Sequence, residues 1–334
     1  MTIWRTAAER RLQGIVQPAA LGFQLLEDVT LLPCARAHPP LVTARGGGIG
    51  FRLGGYDSDG RWSRALAHGR NDELATPPPP RAAEAEWAEE CVYGGILWGH
   101  FGHFLLEGLS RAWGIAERPD LPVVWRRAPA RAEFTAWQRE ILEILGLGGR
   151  EHRVVERPVR IRRLWVPDQG FMLRRFFHPR HAAALGVHPF RPPVPGRRVW
   201  LSRSGLPEQL ARIAGEAEFE AILAADGWTI LHPERLPVRE QLRAIEDAAA
   251  VAGFEGSAFH LLVLGRDIGA RVAILGRGRN ILHAYAMIGL VKELDQFGLR
   301  VATEPQPAAS NQPSSRLLDP AEAATRLRDV LAAP

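Results

Sequence analysis

Four polar side chains in WGHFGHFLLEGLSRAW (98–113) carry the first chemistry: His100, His103, Glu107 and Arg111. On a helix at about 100° per residue they fall within an arc of roughly 80°. Leu105, Leu106, Leu109 and Trp113 take the opposite side. Such a helix buries an apolar face and presents a His-His-Glu-Arg stripe. A histidine backed by a carboxylate is a competent general base near neutral pH. A plain polar face with one buried, hydrogen-bonded histidine fits the same pattern. A metal shared by His and Glu three and four residues apart is a third reading. No other His, Asp or Cys pair nearby has ligand spacing, so no metal is expected.

The second chemistry lies in the C-terminal half, at the ends of apolar runs. SRS (202–204), HPE (232–234), FEGS (254–257) and GRGRN (276–280) each follow a strand-like segment. An open parallel sheet binds ligands at the carboxyl ends of its strands. Glu255-Gly256-Ser257 leads from a strand into a helix, where free amides favour an anion such as phosphate. Ser257 serves equally as a plain N-cap. Glu255 suits a sugar or ribose hydroxyl better than a phosphate. Arg203 and Arg212 are placed to fork onto a diphosphate, against the alternative of solvated surface arginines. The turn at 276–280 resembles a phosphate-binding turn, but a lone Gly-rich turn is weak evidence. No Walker A lysine pattern and no G-x-G-x-x-G after the first strand of this half are present.

The elements that must position these groups divide in two. In the first half, VYGGIL (92–97) reads as a strand, 99–117 as a helix stopped by Pro119, and PVVWRR (122–127) as a buried strand. EFTAWQREILEILG (133–146) is an amphipathic helix, and 152–168 holds one or two strands. Leu41–Arg45 and Ile49–Leu53 suggest a hairpin, and Pro77–Pro80 an extended spacer. The Pro-rich stretch 188–198 reads as a linker. Beyond it, strands at 197–204, 227–233, 248–256 and 271–276 alternate with helices at 208–225, 238–248, 257–264 and 281–288. That alternation predicts a parallel sheet covered by helices on both faces. The tail 303–320 is expected to cross the surface. It ends in a helix with Asp319 as N-cap, Pro320 in the first turn and Glu322 as capping-box acid. Three regions result: an α/β domain at 1–190, a parallel-sheet α/β domain at 191–302, and a linker with a docking helix at 303–334.

Composition narrows the class. The chain has 334 residues, 46% hydrophobic and 24% charged, which fits folded domains and excludes a disordered chain. Its net charge of +5 comes from arginine, with Lys292 the sole lysine. A GC-rich genome or a phosphate-bearing partner accounts for that bias. No dense basic run interleaves with stacking aromatics, so nucleic acid is not an expected partner. Cys34 and Cys91 match no zinc or redox spacing, which fits a reducing cytoplasm. Charges at Arg5, Glu9, Arg10 and Arg11 interrupt any export signal, and no apolar run reaches the ~18 residues of a membrane span. Peripheral contact with the inner membrane stays open.

These residues resemble glycosyltransferase family 61. The resemblance runs over roughly 92–290 and rests on Ser202-Arg203, Arg212, Gly227-Trp228, Pro233-Glu234, Leu236, Glu240-Gln241, Gly256-Ser257-Ala258, and FGHFLLEGLSRAW with His103 and Glu107. It implies a GT-B-like α/β architecture with two Rossmann-like domains facing a cleft: an acceptor-side domain at 1–190 and a nucleotide-sugar-binding Rossmann-like domain at 191–302. It implies an inverting, metal-independent transferase with no cofactor beyond a nucleotide-sugar co-substrate. The implied catalytic pair is His103 and Glu107. The implied donor set is Arg203, Arg212, Gln241, Glu255, Gly256, Ser257 and His260. The acceptor would be a glycan or lipid-linked glycan in surface polysaccharide, capsule or lipopolysaccharide synthesis. Many family members carry His before the Gly of the 255–257 turn. This chain has Glu255 there, with His260 four residues after Gly256, which would change donor preference or remove activity. A GT-B-like nucleotide-sugar epimerase and a non-catalytic nucleotide- or polysaccharide-binding scaffold are the alternatives.

Overall fold

Thirteen consecutive strand residues, Ala85–Leu97, form the axis of the N-terminal half. Residues 91–97 are buried without alternation, the pattern of a strand covered on both faces. The computed structural model describes residues 20–36, 51–52, 55–66, 81–127, 133–207, 212–277, 283–306 and 314–332. The chain divides into two compact units, one of Gln17–Leu185 and one containing Gly186–Pro334.

The first unit is built on a six-stranded mixed sheet. Its strands are β1 (Phe23–Leu31), β2 (Gly55–Tyr56), β3 (Ala85–Leu97), β4 (Val123–Arg127), β5 (His152–Val155) and β6 (Val159–Pro167), in the order β2-β1-β6-β3-β4-β5. β3 runs parallel to β6 and β4, and β4 parallel to β5. β1 is antiparallel to β6 and to β2. The helix expected at 133–146 is α1 (Ala136–Ile144), started by a capping box between Thr135 and Gln138. The stretch 152–168 resolves into two strands. Of the hairpin expected at 41–53, only Phe51–Arg52 is described, and it pairs with Ala35–Arg36. Pro77–Pro80 lies outside the described residues.

The second unit is built on a five-stranded sheet, all parallel. β7 (Val194–Leu201), β8 (Trp228–Leu231), β9 (Ala248–Phe254), β10 (Arg271–Leu275) and β11 (Gln296–Leu299) stand in the order β8-β7-β9-β10-β11. β11 is a strand that the sequence pattern did not reveal. The Pro-rich stretch at 188–198 is already part of this unit, since Val194 pairs with Ala248. The helices are α2 (Glu216–Ala225), α3 (Val238–Ile245), α4 (His283–Val291) and α5 (Pro320–Ala332). The helix expected at 208–225 therefore starts later, after a short strand at Ile213–Ala214. The helix expected at 257–264 is a 3₁₀ helix.

The tail departs from a surface crossing. Thr303–Gln306 and Ser314–Leu317 pair antiparallel, and the latter pairs parallel with Ile213–Ala214. The closing helix docks as its pattern predicts. Asp319 caps it through the Glu322 amide at 2.8 Å. Ala323, Ala324 and Leu327 enter a core with Phe219 and Leu223 of α2 and Trp200 of β7. A fully buried leucine such as Leu327 adds about 2 kcal/mol, so this tail is an integral part of the unit.

Candidate functional site

In the first unit a pair of glycines sets the site. Gly94 and Gly95 sit on β3 where its register with β4 shifts. A Cβ on Gly94 would lie 2.7 Å from the Trp125 ring. Gly95 has φ +112 and its Cβ position lies 3.1 Å from the Gly108 carbonyl. Without side chains at 94 and 95, Trp125 and the 101–108 segment both approach β3 closely.

That segment is not one regular helix. A single α-helical turn at Phe101–His103 passes into a π-helical turn at Phe104–Gly108. Leu109 N–H donates to the Phe104 carbonyl, five residues back, at 2.8 Å. Helix resumes only at Ala112–Ala116. Such π turns occur often at functional sites. Here the turn brings His103 Nδ1 into a hydrogen bond with Glu107 Oε2. Glu107 is 4% exposed, while the His103 side chain is 38% exposed. His103 is thus a surface-facing imidazole anchored from below by a buried carboxylate. With Nδ1 donating to Glu107, Nε2 carries the lone pair, as a general base requires. The His100 ring lies 4.9 Å from that of His103, and the Trp98 ring 6.0 Å away. Gln138 of the α1 capping box donates to the Trp98 carbonyl at 2.9 Å and so fixes the approach to the histidines.

The four-residue polar stripe is corrected. Arg111 is 3% exposed and faces inward. Its Nε donates to the Pro167 carbonyl at 3.0 Å and its Nη2 to the Ala65 carbonyl at 3.1 Å. The π turn and the break at 109–111 change the angular step, so an extrapolation at 100° per residue places Arg111 on the wrong side. Its guanidinium ties the end of β6 to the 64–66 turn.

In the second unit the strand ends carry their own cluster. The registers Leu201↔Gly253 and Phe254↔Leu275 place Arg203, Glu255 and Arg277 just past three adjacent strands. A Cβ on Gly256 would lie 2.5 Å from Arg203 Nη1, so this glycine admits the guanidinium. Glu255 is 4% exposed and its Oε2 accepts the Arg277 amide at 3.0 Å. Tyr285 of α4 is buried here; burial and then Glu255 push its hydroxyl above the ordinary range, and the Gly256 backbone hydrogen-bonds to it. His260 is 8% exposed and stacks on Tyr285 at 5.3 Å. Gly256 caps the 3₁₀ helix in extended backbone and Ser257 is its first residue.

Arg203 is held from beneath by an acid pair. Glu216 Oε1 accepts the Arg203 amide at 3.0 Å, and Ser204 Oγ donates to Glu220 Oε2 at 2.8 Å. Burial, opposed by the Arg203 amide and reinforced by Glu220, pushes the Glu216 carboxyl up to about 7. Burial and then the Arg277 charge hold Arg203 down to about 10. Arg212 Nη2 donates to the Ser204 carbonyl at 2.6 Å and so clamps the same loop. Gln241 donates to the carbonyls of Pro233 and Leu236, both at 2.9 Å, which makes it the brace of the 233–236 turn. The structure thus gathers Arg203, Glu255, Gly256, Ser257 and His260, and gives Arg212 and Gln241 bracing contacts beside them.

A sequence model described as Glycosyltransferase 61 matches residues 101–269, half of the chain. The chain belongs to glycosyltransferase family 61. The match begins at the first residue of the His103 segment and ends beyond the Glu255–His260 turn, so it includes His103, Glu107, Arg203 and Glu255, while Arg277 and Tyr285 lie past its end. No curated protein matches the sequence. Among the described residues, no three His, Cys, Asp or Glu side chains gather as a metal site requires, and no helix is long and apolar enough to cross a membrane. In this family 61 chain the second cluster also contains residues outside the expected donor set. Glu216 and Glu220 stand one helical turn apart at the start of α2, and that spacing was their available signal. Tyr285 had none, because an apolar helix reads as core. Arg277 was visible in the Gly-rich turn, of which 278–280 lie outside the described residues.

Proposed function

We propose that this family 61 glycosyltransferase is an inverting, metal-independent enzyme of GT-B type. It moves a sugar from a nucleotide-sugar to a glycan or lipid-linked glycan in surface polysaccharide, capsule or lipopolysaccharide synthesis. It works on the cytoplasmic side, at the membrane periphery. The unit containing Gly186–Pro334 takes the donor and the unit Gln17–Leu185 takes the acceptor. The observation that carries the reading is the His103–Glu107 hydrogen bond at the π turn. In the reaction the acceptor hydroxyl loses its proton to His103 Nε2 as its oxygen attacks the anomeric carbon. The bond to the nucleoside diphosphate breaks on the opposite face, so the configuration inverts. Glu107 stabilises the imidazolium that forms. Arg203 and the Ser257 amide stabilise the negative charge on the departing diphosphate.

The test is thermal stabilisation by UDP, GDP, CDP, ADP and TDP, each with magnesium and with EDTA. A ligand at 100 times its Kd adds about 2.7 kcal/mol of stability. One nucleotide stabilising equally in both conditions is the expected result. A response only with magnesium refutes metal independence, and no response to any refutes the donor reading.

A further inference from the structure

We propose that Arg277 is a second phosphate-binding cation, which closes with Arg203 on the diphosphate of a nucleoside diphosphate above Gly256. The inference rests on the donor reading and adds to it a residue outside the expected donor set. Three observations carry it. Arg203 and Arg277 each stand two residues past paired strands that flank or include β9, whose own end supplies Glu255 and Gly256. Arg277 is fixed at both backbone groups: its amide by Glu255 Oε2 at 3.0 Å, its carbonyl by Ser315 Oγ at 2.8 Å. Its backbone position is therefore set before any ligand arrives. Lastly, the Arg277 charge acts on the largely buried Arg203 guanidinium, and both charges act on the buried Tyr285 hydroxyl. Two like charges brought together at low dielectric are disfavoured unless an anion joins them. Glu255 takes the Arg277 backbone amide, and Glu216 and Glu234 are the carboxylates that act on Arg203. A diphosphate offers two charged groups with oxygens that both forks can take.

The experiment compares Arg277→Gln, Arg277→Lys and the unsubstituted protein by titration calorimetry. Ligands are UDP, GDP, CDP, ADP and TDP, and then the nucleoside of whichever binds. Gln at 277 keeps both backbone contacts and removes the guanidinium with its charge. The expected result is at least about a tenfold loss of nucleoside diphosphate affinity in the Gln variant, partial recovery in the Lys variant, and nucleoside affinity within about twofold throughout. Unchanged diphosphate affinity in the Gln variant overturns the role of Arg277 and leaves the donor reading standing. Equal losses for diphosphate and nucleoside overturn it also, since they report a disturbed pocket. If the unsubstituted protein binds none of the five, the donor reading itself fails.

Discussion

Glu216→Gln should make the protein more stable at neutral pH, and the gain should depend on pH. Glu216 is fully buried, and burial raises its carboxyl from 4.5 to about 7. The folded protein therefore holds a proton there that the unfolded chain has released. Stability falls as pH rises from 4.5 to about 7, because the unfolded state binds fewer protons over that range. Each pKa unit is about 1.4 kcal/mol, so the full difference is roughly 3 kcal/mol above pH 7. Gln keeps an oxygen for the Arg203 amide and cannot ionise. The variant's advantage over the parent should grow from about 1 kcal/mol at pH 5 to about 3 kcal/mol at pH 8. Denaturant unfolding of both proteins at pH 5, 6, 7 and 8 measures it, with the difference cancelling every other titrating group. An advantage that stays constant with pH would refute the reasoning, since it would mean that Glu216 titrates alike in both states.

Three further outcomes follow from local packing. Gly94→Ala places a methyl 2.7 Å from the buried Trp125 ring, and denaturant unfolding should show a loss of about 1–3 kcal/mol. Gln241→Ala leaves the Pro233 and Leu236 carbonyls without their donor; it should cost about 1–3 kcal/mol in the same assay. Burial lowers the His152 pKa below 6.5, while its Nδ1 accepts from Trp125 and its Nε2 donates to the Leu147 carbonyl. Its imidazole should remain neutral just below pH 6.5 in an NMR titration, and the unfolded chain's protonation over that range should lower stability progressively as pH falls from 6.5 to the folded-state value.

β9 and β10 were legible because strands buried on both faces read as apolar runs, and β7 and β8 through the shorter apolar stretches at 199–201 and 228–231. β11 was hidden because Gln296–Leu299 is short and carries a glycine. The sheet of the tail was hidden because Thr303–Gln306 and Ser314–Leu317 are short and largely polar. His103 and Glu107 were legible because four residues apart works for either helical geometry. Arg111 was not, since its direction depends on where the π turn falls. That turn follows from the fit of Gly95 against Gly108, a tertiary contact that no local pattern encodes. Gln241 and Arg212 have residue types that suit a ligand, yet backbone carbonyls take their donors.

The most direct measurement is release of nucleoside diphosphate from the donor nucleotide-sugar by His103→Ala, beside nucleotide affinity in the same variant. General-base catalysis contributes roughly 10²–10⁴-fold. Turnover in the variant should fall by at least about a hundredfold while nucleotide affinity stays within about twofold. Turnover near that of the parent, or a loss that tracks lost nucleotide binding, would contradict a general base at His103.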